Sequence, residues 1–320
     1  IFMKIGVIGS GRFCSSVHLP LLSCIPDVSI EFIADRKNPE TLAKTYNTKS
    51  IQLEKISSLP DCDIILLVIP VGAKTEYLYE LAKLDCFIFS EKPFAINLET
   101  HENLLALSDK FTCNYVRNFY NTTRNIKNII SSGVFGKIQK ISIIEGGIHG
   151  KTGINKNSYR NDPKLSGGFL NESASHTFSQ LDFLFDNISV SESDILWEDD
   201  FDLEYNVTFD VRDDNLFKID YMGTQIKRIQ PNTTVFFEQT KIQFNHLIPN
   251  SIFTISPLHS DDKFILQQEN SFASTFPQAY YLKWKDFLNK VSSSKLDVKY
   301  ETSLTTTKII SDIIQKGSKR

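Results

Sequence analysis

The longest apolar run in this 320-residue chain, Ile64 to Val71, is strand-sized and well short of the ~18 residues that cross a membrane. A basic excess is missing too. Lys and Arg number 35 against 38 Asp and Glu, a net charge of −3, which argues against a dedicated nucleic-acid binder. Cysteine is scarce: Cys14, Cys24, Cys62, Cys86 and Cys113 are odd in number and irregularly spaced. They make no disulfide framework, no pair has metal-ligand spacing, and no metal is expected. Reduced thiols fit a cytoplasmic location. No secretory signal is expected; Met3 reads as the native start, with Ile1 and Phe2 outside it. Internal repeats and low-complexity segments are absent. What is present is ordinary globular composition, 41% hydrophobic and 23% charged, with length enough for two cores.

The first part alternates strand and helix signals in the manner of a parallel α/β sheet. Lys4 to Ile8, Val28 to Ala34, Asp63 to Ile69, Cys86 to Phe89 and Thr112 to Val116 read as strands. Between them, Pro39 to Tyr46, Lys74 to Leu84 and Leu98 to Lys110 have helical spacing. Helical spacing after Cys14 is interrupted at Pro20, which should kink or end that helix. Beyond residue 117 the texture changes. Strand-like stretches at 138–145, 203–211, 215–222, 233–238 and 241–246 are broken by one good helix at about 171–186, and two helices near 277–292 and 302–316 close the chain. The expected organisation is a Rossmann dinucleotide-binding domain at 1–117. An α+β domain with a large, mainly antiparallel sheet follows at 118–320. Phe201, Tyr205, Phe209, Phe217, Phe236, Phe237 and Phe244 read first as that sheet's core.

Four elements carry chemistry. Gly9-Ser10-Gly11-Arg12-Phe13-Cys14 sits between a strand and a helix, where a dinucleotide fingerprint belongs. Gly9 permits the tight turn and Gly11 the approach of a pyrophosphate to the helix N-terminus. The third glycine position holds Cys14. Asp35 ends the second strand, placed to accept from an adenosine ribose; this favours NAD, although Arg36 and Lys37 suit the 2′-phosphate of NADP. Ser90-Glu91-Lys92-Pro93 follows the strand Cys86 to Phe89, at the edge where open sheets bind ligands. Gly167-Gly168 precedes a helix on which Glu172 and His176, four apart, share a face as an acid–base pair. Each has a plainer reading: a ligand-free turn, a capping Asp, a solvated lysine, a surface helix pair.

Together these segments resemble the glucose–fructose oxidoreductase/inositol dehydrogenase (Gfo/Idh/MocA) family of NAD(P)-dependent enzymes. The resemblance lies in GVIGSGRF, HLPLL, FIADR, LLVIP, SEKPFA, VFGKI and YRNDPKLSGGFLNESASH. It implies that Lys92 is an active-site residue and that His176 matches the histidine of the family's Asp-x-Gly-x-His segment, with Glu172 replacing its Asp and Ala174 its Gly. It implies a cofactor groove lined by Arg12, Phe13, Ile69, Pro70, Glu91, Lys92 and Asn118. Lys74 is placed there as well, where the family often has a His. Tyr159, Arg160 and, more weakly, His149 would face the substrate. Pairing into a homodimer or homotetramer through the C-terminal sheet is also implied, while His18, His101, His246 and His259 read as structural or exposed. The expected activity is hydride transfer at a hydroxyl or ketone carbon of a sugar, cyclitol or nucleotide-linked sugar. Lys92 would hold the oxygen, His176 take the proton and Glu172 orient His176. Imine or conjugated-bond reduction, or a nucleotide-binding relative without turnover, are the alternatives.

Overall fold

A computed structural model of the protein describes residues 2–147, 159–213, 215–266 and 272–319. The chain divides into two compact units, Ile1–Tyr115 with Tyr280–Leu304, and Val116–Ala279 with Thr305–Arg320. A second domain running unbroken from 118 to 320 therefore needs correction: residues 280–304 belong with the first unit. Trp284 and Phe287 are the reason. Both are fully buried in a core with Ile5, Val7 and Phe89, and the Trp284 indole stacks on the Phe89 ring at 4.0 Å.

The first unit holds a six-stranded parallel sheet. Its strands are β1 (Met3–Ile8), β2 (Val28–Asp35), β3 (Lys49–Gln52), β4 (Ile64–Leu67), β5 (Phe87–Ser90) and β6 (Phe111–Cys113), in the order β3-β2-β1-β4-β5-β6. Alternation assigns each side chain to a face. Ile64 and Leu66 of β4 join one core with Ile5, Val7 and Ile33, while Ile65 and Leu67 join the other with Ile8, Phe32 and Ala34. Strand order reverses between β1 and β4. Ligands of such sheets bind at the carboxyl ends beside that reversal. The helix after β1 winds wide, as a π-turn over Cys14–His18, before continuing through Leu19–Leu22. Pro20, with no N–H to give, follows that turn.

The second unit carries a nine-stranded sheet. Its strands are β7 (Ile138–Gly146), β8 (Ile188–Glu198), β9 (Phe201–Arg212), β10 (Leu216–Thr224), β11 (Asn232–Phe237), β12 (Thr240–Phe244), β13 (Phe253–Pro257), β14 (Phe264–Leu266) and β15 (Ser318–Lys319). Pairing is antiparallel except for β7 with β10 and β8 with β15. Tyr205, Val207, Phe209, Val211, Phe217, Ile219 and Tyr221 point to one face, where Ile126, Phe178, Leu181, Ile309 and Ile313 of three helices cover them. Burying each such side chain is worth roughly 1.5–3 kcal/mol. Phe237 and Phe244 lie in the same core, whereas Phe201 and Phe236 are half-buried. On the opposite face stand Asn206, Thr208, Asp210 and Lys218, with Lys140 paired to Asp220 at 2.5 Å.

Candidate active site

In the first unit the glycine turn leaves β1 as Gly9, whose N–H donates to the Ala34 carbonyl at 2.9 Å. Its φ is +104°, and a Cβ there would lie 2.3 Å from the Val68 carbonyl oxygen. Only glycine fits. Ser10 is clamped by Asp35: its backbone N–H and its hydroxyl both donate to Oδ2, at 2.6 and 2.7 Å, and Lys37 N–H donates to Oδ1 at 2.9 Å. Burial works to raise the Asp35 pKa, but the hydrogen bonds from Lys37, Ser10 and Arg36 bring it below the usual range. Asp35 thus shapes the turn and keeps acceptor capacity on Oδ1 for a ribose.

Gly11 is different. A Cβ built there meets nothing within 4 Å, and its φ is not positive. The chain's own packing does not need glycine here, and the space beside it is open. Arg12 and Phe13 flank this space and are exposed, with the Phe13 ring edge-on to His18 and Tyr280. Cys14 packs fully buried beside Val7 and Ile33, its thiol pushed up to about 12 by burial first and then by the charges of Asp35 and Glu91. It serves as a small core residue. Arg36 is exposed and lies over the Tyr77 ring, 5.2 Å from its centroid. Ile69 and Pro70 are half-buried, and the Ile69 methyl faces Gly9.

The loop after β5 is built from inside. Glu91 is 8% exposed. Its Oε1 accepts from His18 Nε2 at 2.7 Å and from Asn114 Nδ2 at 2.6 Å, and Lys92 N–H donates to Oε2 at 3.3 Å. The Trp284 indole N–H donates to His18 Nδ1 at 3.2 Å, so the proton of that imidazole sits on Nε2, facing the carboxylate. Burial opposes ionisation of Glu91, but the His18 contact first, then Asn114 and Lys92, hold its pKa below the usual carboxylate value. Lys92 is half-buried and joined to a buried Pro93 through a cis peptide. Lys74 is fully buried, and its ammonium donates to the carbonyls of Glu91 and Pro93. Its expected place on the cofactor is corrected accordingly: it supports the loop from beneath.

In the second unit, Gly167 and Gly168 both have positive φ, +74° and +82°. A Cβ on Gly168 would fall 2.6 Å from Asp202 Oδ1. That carboxylate, 3% exposed, accepts from Phe169 N–H at 2.8 Å and Leu170 N–H at 3.0 Å, capping the helix that carries Glu172 and His176. The first turns of this helix form a π-turn over Leu170–Ala174, followed by Ser175–Leu184. Such turns recur at functional sites. Glu172 Oε1 accepts from Arg160 Nε at 2.8 Å and from the Tyr159 hydroxyl at 3.3 Å. Burial, then the Glu172 charge, push the Tyr159 phenol up to about 12. The structure thus brings Tyr159, Arg160 and Glu172 together, with half-buried His176 one turn on. Thr177 donates to Glu145 Oε2 at 2.8 Å; the same carboxylate accepts from Tyr221 and His246. Asn118, expected at the cofactor, donates to Ser179 Oγ at 3.1 Å. His149 lies outside the described residues.

His18, His101 and His246 are buried and hydrogen-bonded, and His259 is exposed, as read from the sequence. Asp202, Glu145 and Asn114 escaped that reading because each is a single polar residue in a strand or at a strand end, with no motif around it.

Residues 3–119 match the family model described as an oxidoreductase family with an NAD-binding Rossmann fold. Over 148 residues the chain is 28% identical to myo-inositol 2-dehydrogenase of Thermotoga maritima, covering 42% of each protein. It is 24% identical over 203 residues to inositol 2-dehydrogenase of Rhizobium meliloti, covering 59% of this chain and 57% of that one. The chain therefore spans about two-fifths to three-fifths of the length of the relatives it matches. Two solved structures share the whole fold. The 3-ketoreductase KijD10 from Actinomadura kijaniata, solved with NADP and TDP-benzene, has a TM-score of 0.83 at 16% identity, covering 99% of this chain and 98% of its own. Aldose-aldose oxidoreductase from Caulobacter crescentus, solved with glycerol, has a TM-score of 0.84 at 11% identity, covering 99% and 97%. Glycine turn, EKP loop and family match agree: residues 3–119 are an NAD-binding Rossmann fold of the Gfo/Idh/MocA oxidoreductase family.

Proposed function

We propose that this protein is an NAD(P)-dependent oxidoreductase that interconverts a hydroxyl and a ketone on a sugar, cyclitol or nucleotide-linked sugar. The observation that carries the reading is Gly11: a glycine the fold does not require, open toward solvent, between a turn clamped by Asp35 and the start of a helix. The residues present fit a dinucleotide. Gly9 to Phe13 would hold its pyrophosphate and Asp35 its ribose, with NAD favoured over NADP because a 2′-phosphate would meet the Asp35 charge. The bound nicotinamide supplies the hydride acceptor or donor. Lys92 holds the substrate oxygen and stabilises the negative charge that develops on it. His176 takes the hydroxyl proton, and Glu172, itself held by Arg160 and Tyr159, fixes the acidic side of that pair. The substrate class follows the named relatives, the inositol dehydrogenases and a 3-ketoreductase solved with TDP-benzene. A homodimer or homotetramer formed through the outward sheet face and a cytoplasmic location complete the reading.

The test is a screen of NADH and NADPH oxidation against ketoses, inosose-type ketones, nucleotide-linked ketosugars, imines and conjugated carbonyls. Turnover with a ketosugar or ketocyclitol, lost in Lys92→Ala while nucleotide affinity is kept, supports the assignment. Turnover confined to imines or conjugated bonds moves the enzyme to another reaction class. Binding of nucleotide with no turnover on any of them leaves a binding protein.

A further inference from the structure

Lys74 has no exposed surface at all. It lies in the helix Val71–Leu81, which follows β4, and its ammonium donates to two backbone carbonyls, those of Glu91 and Pro93 (2.7 Å for the latter). These are the residues immediately before and after Lys92. Desolvating an ammonium costs several kcal/mol, and an apolar side chain of similar length would fill the space more cheaply. A cation kept here needs a purpose that packing does not supply. Its N–H donors meet two carbonyls of the loop that follows Ser90. The rest of the loop is tied from the other side: Lys92 N–H to Glu91 Oε2 at 3.3 Å, Glu91 Oε1 to His18 and Asn114, and Ser90 Oγ to the Glu91 carbonyl at 3.0 Å. The backbone on both sides of Lys92 is thereby anchored, and the Lys92 side chain is left half-buried.

We infer that Lys74 is a positioning residue for Lys92: a buried cation that fixes the backbone on both sides of Lys92 and so the point from which its ammonium is presented. This rests on the proposed role of Lys92 in holding the substrate oxygen. Lys74 does not touch the nucleotide. Misplacing a reacting group by about 1 Å is worth on the order of 100-fold in rate, so the brace matters more to turnover than to binding.

Three readings test it. In Lys74→Met, which removes the donors and keeps the length, the Kd for NADH stays within about twofold, while kcat on the best substrate of the screen falls roughly 10–100-fold. Independently of any substrate, the protein is reductively ¹³C-methylated and the Lys92 signal, assigned with Lys92→Arg, is followed. It shifts or broadens in Lys74→Met while the signals of Lys4 and Lys218 stay in place. Lys74→Gln, shorter but still a donor, gives an intermediate change and serves if the Met variant does not fold. In the unmodified protein, lysine-selective ¹⁵N spectra show a protected Lys74 ammonium coupled across hydrogen bonds to the Glu91 and Pro93 carbonyl carbons. An unmoved Lys92 signal with only a lowered Tm overturns the inference, as does a weakened NADH Kd or an unprotected Lys74. If Lys92→Ala keeps full activity, the catalytic reading fails while the spectroscopic result on Lys74 still stands.

Discussion

Gly11 and Gly168 both stand just before a helix, and they are glycine for opposite reasons. A Cβ on Gly168 would sit 2.6 Å from the Asp202 carboxylate that caps the helix, on a backbone with φ of +82°. A Cβ on Gly11 would meet nothing, on a backbone open to any residue. One glycine answers to the fold, while the other leaves open the space that the proposed dinucleotide would use. The same division runs through both units. Asp202, Glu145, Glu91 and Lys74 make buried contacts that set where helices and loops lie, while Gly11, Lys92, Tyr159 and Arg160 keep surface that the chain leaves uncovered. Within this fold, a residue type that packing does not explain is the better pointer to chemistry.

That contrast can be broken by substitution. The largest effect belongs to His176→Ala, which should lower kcat by about 10²–10⁴, the usual worth of a positioned acid–base group; Glu172→Gln should cost clearly less. Steady-state kinetics on the identified substrate decide it, and equal losses would make Glu172 a direct participant. Next comes Gly168→Ala. With a positive φ and a clash against a buried carboxylate, it should cost about 1–3 kcal/mol and lower Tm by several degrees, whereas Gly11→Ala should leave the Tm of the nucleotide-free protein unchanged. A drop in both would erase the distinction between the two glycines.

A third expectation concerns acid. Glu301 is buried with Lys283 Nζ at 2.6 Å and Lys290 Nζ at 2.5 Å. Burial works to raise its pKa, but the two ammonium groups bring it down to about 2. A carboxyl depressed in the folded state stabilises above its unfolded pKa, and that contribution fades as pH falls from about 4.5 toward about 2. Glu301→Gln should therefore flatten the acid limb of the Tm-against-pH curve over that window, and an unchanged limb would remove Glu301 from the account. The smallest effect is on cofactor choice. Asp35→Ala should raise the NADP/NAD ratio of kcat/KM by roughly 5–150-fold, the worth of one repulsive contact of ~1–3 kcal/mol. The clamp on Ser10 is lost in the same variant, so affinity for both nucleotides should fall together. A wild-type preference for NADP would transfer control to Arg36.

Much of the first unit was legible because its strands are apolar on both faces: β4 reads Ile-Ile-Leu-Leu and is buried throughout. β3 was not read, since only Ile51 among its residues is even half-buried and pairing with β2 rests on backbone hydrogen bonds. β8 was missed for a related reason. Ser189, Ser191, Glu192, Ser193 and Asp194 dilute its alternation, and Val190 and Ile195 alone are deeply buried. Amphipathic spacing showed the helix Phe276–Ser293 but not which core it serves; stacking of Trp284 on Phe89 decides that. For the candidate site, the motifs pointed to Gly9–Phe13, Lys92 and His176. Their supports were hidden, because a lone Asp202 or a lysine pointing inward from a helix leaves no periodic trace.

The most direct test of the central claim is nucleotide binding by wild type and Gly11→Val, followed by NADH fluorescence and by Tm with and without nucleotide. Equal Tm values without nucleotide, a Tm rise and saturable fluorescence in wild type, and neither response in Gly11→Val are the predicted result. Equal affinity in the two proteins, or no binding by wild type, would contradict the claim that Gly11 is glycine for a pyrophosphate.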